Sequence, residues 1–149
     1  MKRTVCVILF ASIIFLTSCK GGRSSDDILK DFCQEYPIDS VIYSSLVYEN
    51  GEGYIDKEML LGLYGLDEYP VKEFSLVLYG KVDTVREIGV FITESSEDRI
   101  ELFEILSRRI SFLSSFSDGE GFIRKYKGVI VYGFVMDAAY AESIFDKII

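Results

Sequence analysis

The sequence predicts an α+β fold: an antiparallel sheet of about four strands, arranged as two β pairs and covered by a long amphipathic helix, with shorter helices flanking it. Three observations carry this expectation. Residues 74–79 and 88–92 are short runs with apolar positions two apart, joined by a connection short enough for a hairpin. Residues 122–126 and 129–136 form a second such pair around Lys127-Gly128. Between the pairs lies the longest helical pattern in the chain, about 95–116, with an apolar stripe suited to lie across one face of a sheet.

In chain order, the first feature is a leader. Lys2 and Arg3 precede an almost uninterrupted apolar run over 5–16, which closes in Leu16-Thr17-Ser18-Cys19. A cationic start, a short apolar core and a small residue before cysteine form the pattern of a bacterial lipoprotein signal. The run is too short to cross ~30 Å of hydrocarbon, which needs roughly 20 residues. An ordinary secretory leader with an incidental cysteine is the other reading. The expectation is loss of residues 1–18 and lipidation of Cys19, whose two acyl chains suffice for stable anchoring. Residues 19–25 then make the lipidated terminus and a Gly/Ser tether reaching roughly 15 Å. Residues 26–149 form one domain held at the extracytoplasmic face of the cell membrane.

Ser25 is positioned to cap a first helix, with Asp26 and Asp27 in its positive first turn. Ile28, Leu29, Phe32, Cys33 and Tyr36 recur at helical spacing, and Pro37 stops the run. Residues 38–48 are ambiguous, with strand-forming residues in no clean alternation. Asn50-Gly51-Glu52-Gly53 is a turn. Asp56 caps a short helix through Met59, Leu60, Leu63 and Tyr64, Gly65 sits at its left-handed exit, and Leu66 is placed to fold back on it.

Ser95 and Ser96 ahead of Glu97-Asp98 open the long helix. Leu102, Phe103, Leu106, Ile110 and Leu113 form its stripe, Ile105, Phe112 and Phe116 widen it, and Arg108 and Arg109 mark its wet side. Asp118-Gly119-Glu120-Gly121 ends it. A last helix over 138–148 presents Ala141, Ile144, Phe145 and Ile148.

Composition limits the chemistry. The formal charge of −8 becomes two units more negative once Lys2 and Arg3 leave with the signal. Such a field disfavours nucleic acid and anionic lipid, so the domain is expected to hang from its anchor rather than lie on the bilayer. Of three cysteines, Cys6 lies in the leader and Cys19 carries the lipid, which leaves Cys33 alone and permits no internal disulfide. Its apolar helical face favours a buried thiol over a reactive one. The chain has no histidine, which removes the commonest general base and most zinc sites.

Several of these residues carry a resemblance. Leu63-Tyr64-Gly65-Leu66-Asp67 resembles the "LYG-(I/L)-D" start of an uncharacterised lipoprotein family of Gram-positive bacteria, a domain of unknown function. Glu87-Ile88-Gly89-Val90-Phe91 resembles that family's "E-I-A-(V/I)-F" strand, which a long amphipathic helix follows. Lys127-Gly128, an apolar strand, Asp137 and a final helix are similar to its C-terminal pattern. The likeness spans about residues 26–149, with a shorter stretch before the last β pair than the family shows. It implies a lipid-anchored extracytoplasmic domain and brings no activity, cofactor or catalytic residue.

What remains is a choice among surfaces. With 24 acidic residues, a carboxylate pair at glycosidase spacing is expected by chance on a solvated exterior. Glu49-Asn50-Gly51-Glu52-Gly53 and Asp118-Gly119-Glu120-Gly121 offer oxygens and tight turns, but not the ligand spacing of a calcium loop. Tyr43, Tyr48, Tyr54 and Tyr69 fall in the irregular half of the chain, where they pack at strand rims or form an exposed sugar-stacking cluster. The expectation is therefore a non-catalytic binding or scaffold module. Its working surface is the sheet face not covered by the long helix, beside Tyr43, Tyr48 and Tyr54. Val77 and Tyr79 against Leu76 and Leu78 make both strand faces apolar, so a second covering layer or a partner is expected there. An envelope protein is the expected partner, with no cofactor, no metal and no nucleic acid. A small-ligand or cation-binding lipoprotein for uptake or envelope sensing is the alternative, and an envelope hydrolase the third reading.

Overall fold

Helix starts in this chain are set by side chains that close the first turn. A computed structural model describes residues 22–65, 70–81 and 84–149; the leader, Cys19, Leu66, Asp67 and Tyr69 lie outside the described residues. Helix α1 (Ser25–Glu35) is capped by Ser24, one residue earlier than expected, whose hydroxyl accepts from the Asp27 amide. The shift frees Ser25 to face inward, where its hydroxyl lies 2.9 Å from that of Ser75. A three-residue strand, β1 (Ile42–Ser44), follows. Helix α2 (Lys57–Tyr64) has the expected Asp56 cap and the expected left-handed Gly65 exit, at φ 65°. Strands β2 (Glu73–Tyr79) and β3 (Arg86–Ile92) form the first hairpin.

Helix α3 (Ser96–Ser114) opens on a full capping box: Ser95 accepts from the Asp98 amide, and the Asp98 carboxylate accepts from the Ser95 amide. Strands β4 (Glu120–Tyr126) and β5 (Val129–Val135) make the second hairpin, turning at Gly128 with φ 79°. Helix α4 (Ala138–Ile148) closes the described chain.

Among the described residues the sheet has five antiparallel strands in the order β1-β2-β3-β5-β4, rather than four. The extra one is β1, drawn from the ambiguous 38–48 segment and pairing Ile42, Tyr43 and Ser44 with Val77, Leu76 and Ser75. Both faces of the sheet are covered by the chain's own helices: of the second layer or partner expected on the far face it is the layer that is present, and the face expected as a working surface is closed. On one side α1 and α4 bring Ile28, Leu29, Phe32, Ile144 and Phe145 onto Val77, Ile88, Val90 and Val131. Phe32 and Phe145 stack there with ring centroids 4.3 Å apart. On the other side α2 and α3 bring Leu60, Leu102, Ile105 and Leu106 onto Phe74, Leu76, Phe91, Ile130 and Tyr132.

The alternation places 74 and 76 on one face and 88 and 90 on the other, because Val77 is the register partner of Ile88. Strands apolar on both sides therefore form the middle of a three-layer sandwich. Gly133, opposite Phe122, leaves room for that ring: a Cβ there would lie 2.2 Å from it.

Candidate functional site

The two ends of the sheet differ in chemistry. At one end the chain enters beside the β4–β5 turn. The other end, where β2 leaves and β3 and α4 begin, holds a buried ionic network and the exposed aromatic side chains of α3.

Glu87 projects from β3 toward α3, and its side chain is fully buried. Arg109 of α3 grips it with two bonds, Nε donating to Oε1 at 2.8 Å and Nη2 to Oε2 at 3.0 Å. The Tyr132 hydroxyl, from β5, donates to the same Oε1. Tyr64 at the end of α2 meets Tyr132 and Phe91 edge-on, with centroids 6.2 and 5.9 Å away. The Arg109 guanidinium lies 5.6 Å from the ring centres of both Tyr64 and Phe112.

The electrostatics follow from burial around one negative charge. Burial, and then the Glu87 charge, hold the Tyr132 and Tyr64 hydroxyls well above the ordinary tyrosine range. Burial alone would lower the Arg109 guanidinium, but its hydrogen bonds to Glu87, together with that carboxylate's charge and the facing Tyr132 and Tyr64, hold it above its usual value. Glu87 thus spends its acceptor positions inside the fold. The Tyr64 hydroxyl is buried with no hydrogen-bond partner among the described residues. A cleft of about 360 Å³ opens over this network, lined by Glu87 and Arg109 with Leu63, Leu78, Lys81 and Val85.

Beside the cleft lies a second buried cation. Arg86 donates to the Val85 carbonyl and the Ser117 hydroxyl, both at 2.9 Å, and to the Met136 sulfur at 2.8 Å, over the Phe134 ring. Phe116, next to Ser117, pairs edge-on with Phe112 at 5.0 Å. Phe112, Phe116 and Met136 are respectively 56%, 47% and 66% exposed, which makes this end of the molecule apolar and open to solvent. Here the structure departs from expectation twice. Phe112 and Phe116 do not widen the core stripe, and Arg109 is not on the wet side. Position 109 lies three residues after Leu106 and four before Leu113, on the buried stripe itself.

The residues expected to form a binding surface are not brought together as one. Tyr43 is half-buried in β1 and packs toward the α2–α3 core. Tyr48 is 79% exposed in the following loop. Tyr54, bridged to Ser44, lines a separate cleft of about 400 Å³ with Leu46, Lys57 and Lys72. Among the described residues no ring contact joins the three.

Of the two acidic turns, the first is shaped by backbone needs. Gly53, at φ 80°, lies where a Cβ would strike the Ile42 carbonyl. In the second, Glu120 and Gly121 belong to β4, and the Glu120 carboxylate accepts from the Ala138 amide. Among the described residues no three Asp, Glu or Cys side chains converge on a metal position. Cys33 is a half-buried free thiol whose pKa burial pushes up to about 11.

Comparison with family models, with curated proteins and with solved structures returned no match.

Proposed function

We propose that the protein is a membrane-anchored, extracytoplasmic binding module without catalytic activity, and that it presents the Phe112–Phe116–Met136 end of its sheet to an envelope protein. The reading takes Cys19 as the lipidated residue and the chain as a relative of the uncharacterised lipoproteins its motifs resemble. The working surface differs from the one expected from sequence. With α1 and α4 lying on the second sheet face, that face has no room for a partner.

The observation that carries the reading is the exposed aromatic pair, with the exposed Met136 linked through Arg86 to Ser117, the residue after Phe116. Tyr and Trp are not needed for such a patch: two phenylalanines and a thioether give a large, adaptable apolar contact area. The network beneath supports it, because Arg109 is fixed by Glu87 and in turn lies over the Phe112 ring. A buried carboxylate already holding a guanidinium and a phenol is suited to rigidity rather than to acid–base turnover.

The α3 end lies away from the tether. The described chain enters at Gly22, beside Lys127–Val129, and seven-residue strands separate that edge from Arg86 and Val135 by roughly 20 Å. A photo-crosslinking residue at Phe116 in intact cells tests the reading, with Ser143 on α4 as the control position. A discrete adduct at 116, absent at 143 and lost when Phe112→Ser is added, is expected. Equal adducts at both positions, or none at 116, overturn the assignment.

A further inference from the structure

The opposite end of the sheet carries a site of its own. A cavity of about 450 Å³ lies where the chain enters, lined by Arg23, Lys72, Thr93, Lys127 and Gly128, with Ile28, Ile92, Val129 and Ile149 as its apolar walls. Two backbone bonds draw its rim together, from the Lys72 amide to the Ile92 carbonyl at 2.8 Å and from the Thr93 amide to the Gly128 carbonyl at 3.3 Å. Thr93 is only 7% exposed, yet its hydroxyl has no hydrogen-bond partner among the described residues. A buried hydroxyl left without a partner is costly, so its position beside two lysines points to a ligand that accepts hydrogen bonds and carries negative charge.

The charges at this end are disposed to suit such a ligand. Lys72 and Lys127 are exposed and make no ion pair among the described residues. Arg23 is bound to Asp31 and to the Ile148 and Asp27 carbonyls, so it contributes field rather than a free donor. The one side-chain carboxylate in the lining, Glu73, accepts from the Ser25 amide at the positive start of α1 and is turned to that task. Gly128 has open space where a Cβ would be, which lets a bulky group approach the backbone.

Position selects the source of the anion. Cys19 precedes Gly22, itself part of the cavity lining, by three residues, so their Cα atoms are at most about 11 Å apart. If Cys19 is acylated, as the proposed function holds, the cavity stands within one headgroup layer of the bilayer. We infer that it takes the phosphate of an anionic phospholipid headgroup from the membrane to which the chain is anchored. Thr93 and the two lysines hold the phosphate, while the apolar walls meet the glycerol and upper acyl region. Net charge is then a poor guide to what the bilayer meets: an acidic molecule turns its basic rim toward it.

The test uses the full lipoprotein, purified from membranes and reconstituted into vesicles of phosphatidylcholine alone or with phosphatidylglycerol. Intact-mass analysis reads the state of Cys19, and hydrogen exchange reads the amides around Thr93 and Gly128. We expect exchange there to be roughly fivefold slower with phosphatidylglycerol. The effect should be lost in a Lys72→Gln/Lys127→Gln variant and largely lost in Thr93→Val, with exchange in α4 unchanged throughout. Equal exchange on both vesicles with acylated Cys19 overturns this inference and leaves the anchoring intact. An unmodified Cys19 overturns the anchoring and this inference with it. Protection by inorganic phosphate on phosphatidylcholine vesicles assigns the site to free phosphate and also overturns the headgroup reading.

Discussion

Glu87 shows how one side chain fixes the relative placement of three elements. It receives a guanidinium from α3 and a phenol from β5 while fully buried on β3. Removing one partner of such a pair strands the other charge, which costs about 3 kcal/mol or more, whereas replacing both by apolar groups is close to neutral. Glu87→Gln is therefore expected to lower unfolding stability by about 3 kcal/mol in urea titration. The triple change Glu87→Leu/Arg109→Met/Tyr132→Phe, which leaves no member of the network without its partner, is expected to recover most of that loss.

Cys33 gives a pH signature. Its pKa rises from an ordinary 9.0 to about 11 because burial disfavours the thiolate. The unfolded chain then releases its proton first, so this contribution is whole below pH 9 and lost as pH rises toward 11. Stability of the natural chain should fall more steeply than that of Cys33→Ala across that window, measured by denaturant midpoints. The apolar setting of Cys33 was legible from its neighbours Leu29, Phe32 and Tyr36, although the thiol is half-buried rather than buried. The Glu87–Arg109 pair was not, because adjacent Arg108 and Arg109 look like one solvated face. The available signal was spacing: Arg109 falls in line with Leu102, Leu106 and Leu113, and a cation on an apolar stripe calls for a buried acid.

At the scale of elements, local chemistry set most boundaries. The capping box at Ser95 and Asp98, the Asp56 cap and the Asp137 cap all occur where their side chains match the first-turn amides. Ser95→Ala is expected to cost about 1 kcal/mol, seen as a lower melting temperature and faster amide exchange in the first turn of α3. Both hairpins could be read from their glycine turns and apolar alternation. Strand β1 could not. It is only three residues long, and Ser44 and Ser45 break the apolar pattern, since their hydroxyls serve the sheet directly. Ser44 accepts from the Ser75 hydroxyl, and Ser45 both donates to the Phe74 carbonyl and accepts from its amide. Hydroxyls that complete a strand's own hydrogen bonding leave no mark in hydrophobic periodicity.

The whole molecule is organised as helices on both faces of a mixed-length sheet, a layer count that the number of apolar positions allowed but did not fix. Val77 and Leu76 are both buried, and only the crossing of β3 to β5 through α3 and β4 determines which helix covers which. Because its apolar interior is closed on both sides, the chemistry left open to a partner lies at the two ends of the sheet. Phe112→Ser/Phe116→Ser removes two half-exposed rings and the Arg109–Phe112 contact, and should lower stability by about 1 kcal/mol, read by urea titration. With the crosslinking residue at 116, Phe112→Ser alone should abolish the adduct at the α3 end.

The sheet's unequal rims bear on how the protein behaves among its own copies. One rim is the three-residue β1, too short to template another strand. The other, β4, carries Glu120, Arg124 and Lys125 exposed along its length, with Arg124 and Tyr126 tied to Glu142 and Asp146 of α4. Neither border invites continuation of the ladder from molecule to molecule. If it is held at a membrane through Cys19, as proposed, where neighbours collide far more often than in dilute solution, such a body can be packed densely without seeding fibrous stacks, and its contacts are left to the ends rather than the edges.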